Sequence, residues 1–204
     1  MPARGIPLGL LFVAACHGGP AAAPWIELFD GATLGGFQST AFGGEGEVAV
    51  HDGAIALGIG SPLTGVTWTG APPAGDYELE VTATRVVGGD FFCGLTFPVG
   101  ERHLTLVLGG WGGTVCGLSN LDGLDASHNV TRTLRRFDSG RHYRIGVEVA
   151  RDTIAVRLDG ETFLTADLRG HVLSLRPEVE LSRPLGIASF ATAAAVRSVR
   201  WRPR

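Results

Sequence analysis

Apolar residues recur at every second position over most of this chain, and this period constrains the fold more than any other feature. The alternation of apolar and polar side chains runs through residues 77–84, 103–108, 144–149 and 154–158. Such a pattern is typical of strands with one buried face, and the Asp159-Gly160 pair that follows is a hairpin signal. No window of helical length shows the apolar spacing of an amphipathic helix. The sequence therefore predicts an all-β protein, a β-sandwich of two antiparallel sheets.

The first fifteen residues are predicted to be an export signal. Arg4 is their only charged residue, and a short apolar run at 6–13 leads to Val13-Ala14-Ala15-Cys16. The apolar run is too short to span a membrane. The small-small-cysteine ending resembles a bacterial lipobox, which implies a lipoprotein signal peptide at 1–15 with lipidation at Cys16. An ordinary signal peptide with an incidental cysteine is the alternative.

The rest of the chain is predicted to form one domain on a tether. Residues 16–24 are rich in Gly, Ala and Pro and indicate a flexible tether, and 25–204 is long enough for a single β-sandwich domain with its own core. We therefore expect an exported protein that is lipid-anchored to the bacterial cell envelope. Its basic residues are scattered arginines, offset by acids to a formal net charge of −3, which argues against a nucleic-acid partner.

Two further cysteines are predicted to be buried thiols. Cys93 and Cys116 lie in the predicted strand segments 90–98 and 113–118, with the segment 103–109 between them. In a meander of hairpin strands they would lie two strands apart, ~9–10 Å. That separation is too large for a disulfide, although an exported chain would permit one.

Several segments resemble, in order, the motifs of one protein family. The segment WIELFDGATLGGF at 25–37 is similar to its opening pattern, W-x-x-L-F-D-G-x-x-L-x-x-W. Further strand and hairpin motifs lie at 76–81, 141–147, 156–160, 185–188 and 196–200. Together they make the chain similar to the 3-keto-disaccharide hydrolase domain family of secreted bacterial proteins. The resemblance implies a concanavalin-like jelly-roll β-sandwich that cleaves the glycosidic bond of 3-keto-glycosides.

The middle of the chain departs from the pattern of that family. Members carry an acidic strand motif of the form E-x-Q-I-x-D, whereas this chain reads HLTLVLGGWGG at 103–113. The alternative function is therefore that of a non-catalytic carbohydrate-binding module, a relative without hydrolytic chemistry. A purely architectural envelope protein is a third, favoured if Trp111 is buried.

Trp111 and the loop after it form the strongest candidate binding surface. Glycines on both sides of Trp111 let the backbone turn sharply and leave the indole little cover. An exposed Trp ring packs well on the C–H face of a sugar, and the polar stretch 117–129 follows it. We predict a carbohydrate ligand bound by Trp111, Asn120, Asp125 and Asp90. The alternative is a connection whose Asp and Asn side chains cap turns, with Trp111 plugging one end of the sandwich.

The candidate catalytic residues are carboxylates and histidines near Trp111 in the sequence. They are Glu101, His103, Asp122 and His128, which would supply an acid and a base for hydrolysis. Glu78 and Glu80 share one face of a predicted strand and are weaker candidates, because solvent is the usual neighbour of such a face.

The sequence contains two candidate sets of ligands for a divalent metal ion. Calcium would take the oxygens of Asp122, Asp125 and Asn129. Zinc would take His103, His128 and a carboxylate. Turn capping by the same Asp and Asn side chains is the favoured alternative, since their spacing matches no familiar metal-binding loop.

Overall fold

The computed structural model describes Met1 and residues 22–204, which form two antiparallel sheets packed face to face. Sheet A consists of β1 (Ile26–Glu27), β3 (Val48–His51), β4 (Ala54–Leu57), β6 (Tyr77–Gly88), β11 (His142–Ala150), β12 (Thr153–Leu158), β13 (Glu161–Asp167) and β15 (Thr192–Pro203). Sheet B consists of β2 (Phe37–Ser39), β5 (Leu63–Trp68), β7 (Cys93–Val99), β8 (Arg102–Gly110), β9 (Val115–Ser119), β10 (Thr133–Leu134) and β14 (Gly186–Phe190).

The strand order is that of a sandwich with crossovers between the sheets. Sheet A runs β13-β12-β11-β6-β15-β4-β3, with β1 paired to β15, and sheet B runs β10-β9-β8-β7-β14-β5-β2. This confirms the predicted fold class. The predicted lipidation site Cys16 and residues 2–21, which include most of the signal peptide and tether, lie outside the described residues. No helix within the described part of the chain is long and apolar enough to cross a membrane.

The core lies between the sheets and follows from the period-two alternation. Leu79 and Val81 of β6 and Leu104 and Leu106 of β8 are fully buried in one continuous apolar cluster. Their sequence neighbours point to the outer faces because successive strand residues alternate sides. Removal of this apolar surface from water is the main driving force for the two sheets to associate.

The alternation at 25–29 predicts a short buried strand that ends at the Asp30-Gly31 turn pair, and this prediction is wrong in extent. The strand itself is Ile26–Glu27, and both of its residues are exposed, whereas Leu28 and Phe29 are buried beyond its end. The N–H of Leu28 still donates to the carbonyl oxygen of Val199 in β15 at 2.8 Å. The chain turns there because the Asp30 carboxylate accepts a hydrogen bond from the backbone N–H of Ala32 at 2.8 Å. The Asp-Gly pair therefore forms the predicted turn, but regular pairing ends at Glu27, before the turn begins.

Cys93 and Cys116 are free and fully buried in sheet B. Cys93 of β7 and Cys116 of β9 both lie opposite Leu108 of β8. They are therefore two strands apart, as the meander predicts. Burial raises the pKa of Cys93 to about 12 and that of Cys116 to about 11. Both thiols are therefore protonated at neutral pH and behave as small apolar side chains.

The outer face of sheet A carries a network of ion pairs. Glu78 and Glu80 of β6 lie opposite Arg202 and Arg200 of β15, which donate to their carboxylates at 2.5 and 2.7 Å. Both guanidinium groups also stack on Trp25, 4.4 and 4.6 Å from its ring centre. The two glutamates are thus placed as charge partners in a salt-bridge network.

The outer face of sheet B is covered in its middle by a crossing segment. The 3₁₀ helix η1 (Pro177–Ser182), which the sequence pattern did not predict, lies against β5 and β14. Leu175 and Val179 pack there with Leu63 and Ala188 in a second, smaller core. This cover leaves one part of the face open, over β8 and β9.

Candidate functional site

A pocket of about 340 Å³ opens on the outer face of sheet B beside η1. Thr105 and Val107 of β8 and Ser119 of β9 line it from the sheet. The other lining residues come from the β6–β7 connection, the β8–β9 hairpin and the segment around η1 and β14, and are Asp90, Phe91, Trp111, Arg176, Glu178, Val179 and Phe190. The pocket thus combines a neutral sheet surface with aromatic and charged side chains that the connections supply.

Trp111 is at the tip of the β8–β9 hairpin and is 41% exposed. Its φ of +48° is left-handed, and Gly109, Gly112 and Gly113 around it are also left-handed. Glycine adopts this region without the steric cost that other residues incur, so the glycines on either side allow the tight turn. The exposed indole does not fit the alternative in which Trp111 plugs the end of the sandwich.

Arg85 lies beneath the hairpin, in phase with the core-facing residues of β6, and is only 7% exposed. Its Nη2 donates to the carbonyl oxygens of Asp90, Gly109 and Gly113 at 3.0, 3.2 and 3.3 Å. Burial lowers the pKa of Arg85 because desolvation disfavours the charged form, and the charge of Asp90 opposes this effect. One buried cation therefore joins the β6–β7 connection to both sides of the Trp111 turn.

Asp90 fixes the hairpin from the pocket side. Its Oδ1 accepts a hydrogen bond from the N–H of Phe91 at 2.8 Å, and its Oδ2 accepts one from the N–H of Gly112 at 3.1 Å. Its own N–H donates to the Thr192 hydroxyl at 3.0 Å. Asp90 therefore lines the pocket and also joins the β6–β7 connection to Gly112, the residue after Trp111.

Arg176 forms the opposite side of the pocket with two carboxylates. Its Nε donates to Glu178 at 2.5 Å and its Nη1 donates to Asp125 at 3.0 Å. Although burial acts in the other direction, hydrogen bonds from Ser127 and His128 lower the pKa of Asp125. Arg176 thereby ties the loop after β9 to the segment that enters η1.

The structure does not bring the four predicted catalytic residues together. Glu101 is exposed in the β7–β8 turn, and His103 lies at the start of β8 with Arg183 and Glu180 as its charged neighbours. Burial, and to a lesser extent Arg183, lower the pKa of His103. None of the four residues lines the pocket, and no hydrogen bond among the described residues joins any two of them.

The other two predicted catalytic residues have separate partners. Asp122 accepts hydrogen bonds from the N–H of Val172 at 2.7 Å and from His171 at 2.6 Å, and these bonds lower its pKa. His128 lies 3.0 Å from Asp125. The two side chains therefore order different parts of the connection after β9 and do not form a pair.

Of the predicted binding residues, Trp111 and Asp90 line the pocket, whereas Asn120 and Asp125 support it from behind. Asn120 is 8% exposed and its backbone N–H donates to Ser174 at 3.0 Å. Asn129 of the proposed calcium set donates to the carbonyl oxygens of Leu118 and Leu124. Within residues 22–204, no three His, Cys, Asp or Glu side chains are grouped closely enough to hold a metal ion.

The sequence interpretation missed the residues around η1. Arg176, Glu178, Val179 and Phe190 line the pocket, yet they lie more than fifty residues after Trp111 in the sequence. The pair Arg176-Pro177 followed by Glu178 signals a helical turn, since Pro is favoured in the first turn. Nothing in that signal indicates which face of which sheet the turn covers.

Comparison with known proteins establishes the fold but does not show a family. No protein-family model and no curated protein matches the chain, so the resemblance to the 3-keto-disaccharide hydrolase domain family stays a prediction. Many solved structures share the fold. A Crh5 transglycosylase in complex with NAG has a TM-score of 0.63 at 11% identity, over 89% of this chain and 85% of that chain.

Two further similar structures are bacterial. The β-glucanase of Bacillus licheniformis has a TM-score of 0.58 at 12% identity, over 91% of this chain and 100% of that one. The carbohydrate-binding module CBM66 from Bacillus subtilis has a TM-score of 0.52 at 12% identity, over 82% of this chain and 95% of that one. At these identities the likeness establishes the fold: this chain is a concanavalin-like β-sandwich of the kind shared by glycosyl hydrolases and carbohydrate-binding modules.

Proposed function

We propose that this protein binds carbohydrate in the pocket beside Trp111. The observation that supports this most directly is the combination of a 41% exposed indole with a walled pocket of about 340 Å³. The indole and the ring of Phe91 offer apolar surface to the C–H face of a sugar, and carboxylate and hydroxyl oxygens offer partners for its O–H groups. The neighbouring folds include both sugar-cleaving and sugar-binding proteins, which agrees with this function.

The polar groups of the pocket retain capacity for a ligand. Each oxygen of Asp90 accepts one backbone hydrogen bond, and a carboxylate has about four acceptor sites in total. Glu178 uses Oε1 for Arg176, and its side chain is 39% exposed. Two carboxylates that are held in place yet not saturated are well suited to accept hydroxyl donors from a sugar ring.

The same geometry favours binding over hydrolysis. A glycosidase needs one carboxyl group as proton donor at the leaving oxygen and a second as base or nucleophile. Here Asp90 is engaged by two backbone N–H groups and Glu178 by the guanidinium of Arg176. We therefore rank a non-catalytic carbohydrate-binding protein first.

Hydrolysis of 3-keto-disaccharides or related glycosides is the second candidate. The observation that favours it is that two carboxylates, Asp90 and Glu178, line one pocket. In either case the lipobox-like ending at Cys16 suggests that the domain is exported and held at the cell envelope by a lipid anchor. Metabolic labelling with a clickable fatty acid tests the anchor, and loss of label in Cys16→Ala is the expected result.

Binding is tested by titrating glycan series into the purified protein. We expect Trp111→Ala to lose ~1–3 kcal/mol of binding free energy, by analogy with the stacking of bases on aromatic side chains, with little change in melting temperature. Trp25→Ala is the matched control, because Trp25 lies on the outer face of the other sheet. Equal losses in the two variants would contradict the assignment.

Turnover in the same mixtures decides between the two candidates. Binding without release of sugar from any glycan or 3-keto-disaccharide supports the binding module. Release of free sugar that Glu178→Gln abolishes would instead establish the hydrolase.

A further inference from the structure

We infer that the Trp111 pocket receives the end of a glycan chain, about one or two sugar units, and excludes the internal segments of a polymer. This inference deepens the proposed function and rests on it. It follows from what surrounds the pocket on the outer face of sheet B, where both directions across the sheet are closed by packed side chains.

Towards β7, β14 and β5, the face is filled by Phe91 and by η1. The ring of Phe91 lies over Gly94, where an added Cβ would come within 2.9 Å of a ring carbon. Beyond it, Ala188 is fully buried and belongs to the small core that contains Val179, against which Phe91 also packs. A sugar chain extended across the strands in this direction would have to displace that core.

Towards β10, the face is closed by the loop after β9. Ala126 is fully buried, and a Cβ added at Gly117 of β9 would lie 3.3 Å from the Ala126 Cβ. Asp125 of the same loop is joined to Arg176 at 3.0 Å. The two lateral barriers are therefore tied to each other by an ion pair, and the pocket is enclosed between them.

The pocket volume fits a short ligand. At about 30 Å³ per water molecule, 340 Å³ corresponds to about eleven water volumes, and a hexose unit within a chain has about eleven non-hydrogen atoms. Bonded atoms occupy less space than separate waters. The volume therefore accommodates one ring fully and a second in part, with the rest of the chain directed to solvent past Trp111.

The experiment compares chain length with the number of chain ends. The probes are β-1,3-glucan, β-1,4-glucan, β-1,4-linked N-acetylglucosamine, α-1,4-glucan and β-2,6-fructan, each as defined oligosaccharides of two to seven units and as intact polymer. In a series that binds, we expect affinity to change by less than about threefold beyond three units. We also expect the bound protein per mass of polymer to rise in proportion to chain ends after partial hydrolysis.

Two results separate failure of this inference from failure of the proposed function. Affinity that keeps rising with chain length, together with capacity that hydrolysis leaves unchanged, would show an open groove and overturn the inference while carbohydrate binding stands. No binding in any series would overturn both.

A variant of Phe91 tests directly whether the pocket is closed towards β7. Phe91→Ala removes the ring over Gly94 and should increase the preference for six units over two by several-fold compared with the wild-type protein. An unchanged preference in a variant with the wild-type melting temperature would show that Phe91 does not close the pocket.

Discussion

The outer faces of the two sheets differ although both sheets share one core. On sheet A, Glu78, Glu80 and Glu148 are each paired with arginines on neighbouring strands, and Trp25 stacks on two of those arginines. On sheet B, the middle of the face is built of small neutral residues such as Gly65, Thr96 and Ala188. One face is charged and open, and the other is neutral and covered.

This difference favours the outer face of sheet B over that of sheet A as the ligand-binding face. A network of ion pairs satisfies its own charges and would cost desolvation free energy if a ligand covered it. A neutral face allows close packing, so η1 and the loops approach it and enclose a pocket. The charged groups of that pocket, Asp90, Arg176 and Glu178, all come from connections and not from strands. The strands therefore provide the neutral floor of the pocket, and the connections provide its charged side chains.

The largest expected effect contrasts two arginines, one from each environment. Arg85→Met leaves three buried carbonyl groups without their donor, and we expect a loss of about 3 kcal/mol in unfolding free energy. Arg202→Met breaks a partly exposed ion pair and should cost at most about 1 kcal/mol. Urea unfolding of both variants measures the difference. Similar losses would mean that Arg85 is no more important to the fold than a surface arginine.

A contrast between two strand glycines has the next largest effect. A Cβ at Gly65 on sheet B would come within 2.6 Å of the Ile187 carbonyl oxygen, whereas a Cβ at Gly146 on sheet A would have Arg157 Cβ at 3.7 Å as its nearest neighbour. We expect Gly65→Ala to destabilise the protein by about 1–3 kcal/mol through overpacking. Gly146→Ala should stabilise it by about 0.4–1 kcal/mol. Thermal unfolding measures both, and a stabilising Gly65→Ala would show that the covered face is loosely packed.

The smallest expected effect is that of salt. Raising NaCl from 0.1 to 1 M shortens the Debye length from about 10 to 3 Å, so the unfolding free energy should fall by less than about 1 kcal/mol through the ion pairs of sheet A. The double variant Glu78→Gln/Arg202→Gln should lose part of this dependence. Binding of a neutral glycan in the Trp111 pocket should not change with salt. A strong salt dependence of that binding would indicate that an ion pair at Arg176 opens on binding.

Much of the fold follows from the sequence because strand periodicity is a local property. Residues 77–84 and 144–149 alternate as a half-buried strand must, and Asp159-Gly160 marks a turn. The first strand is shorter than the alternation predicts, because Leu28 and Phe29 are buried although regular pairing with β15 ends at Glu27. Leu28 keeps only one backbone hydrogen bond to that strand, to Val199. Burial and pairing give the same apolar signal in a short segment, so periodicity alone does not separate them.

The site was predicted only in the part that is contiguous in sequence. The glycines around Trp111 require a turn, and that requirement can be recognised without a structure. The roles of Arg176 and Glu178 depend on where the chain crosses sheet B, which is a property of packing between distant segments. Arg85 did carry a signal, because it is a charged residue in phase with Leu79, Val81 and Ala83. Such a residue must either be exposed at a strand end or have buried partners, and here it has buried partners.

The position of β15 has a consequence for the time at which this protein can fold. This strand lies inside sheet A, between β6 and β4, and also pairs with β1. A chain synthesised from its N-terminus has β1, β4 and β6 available long before Thr192–Pro203, the strand that joins them. Sheet A therefore remains open until those residues have left the ribosome, and contacts of such long sequence separation form slowly. Until then the facing edges of β4 and β6 are unpaired, and such edges are templates on which another chain can pair.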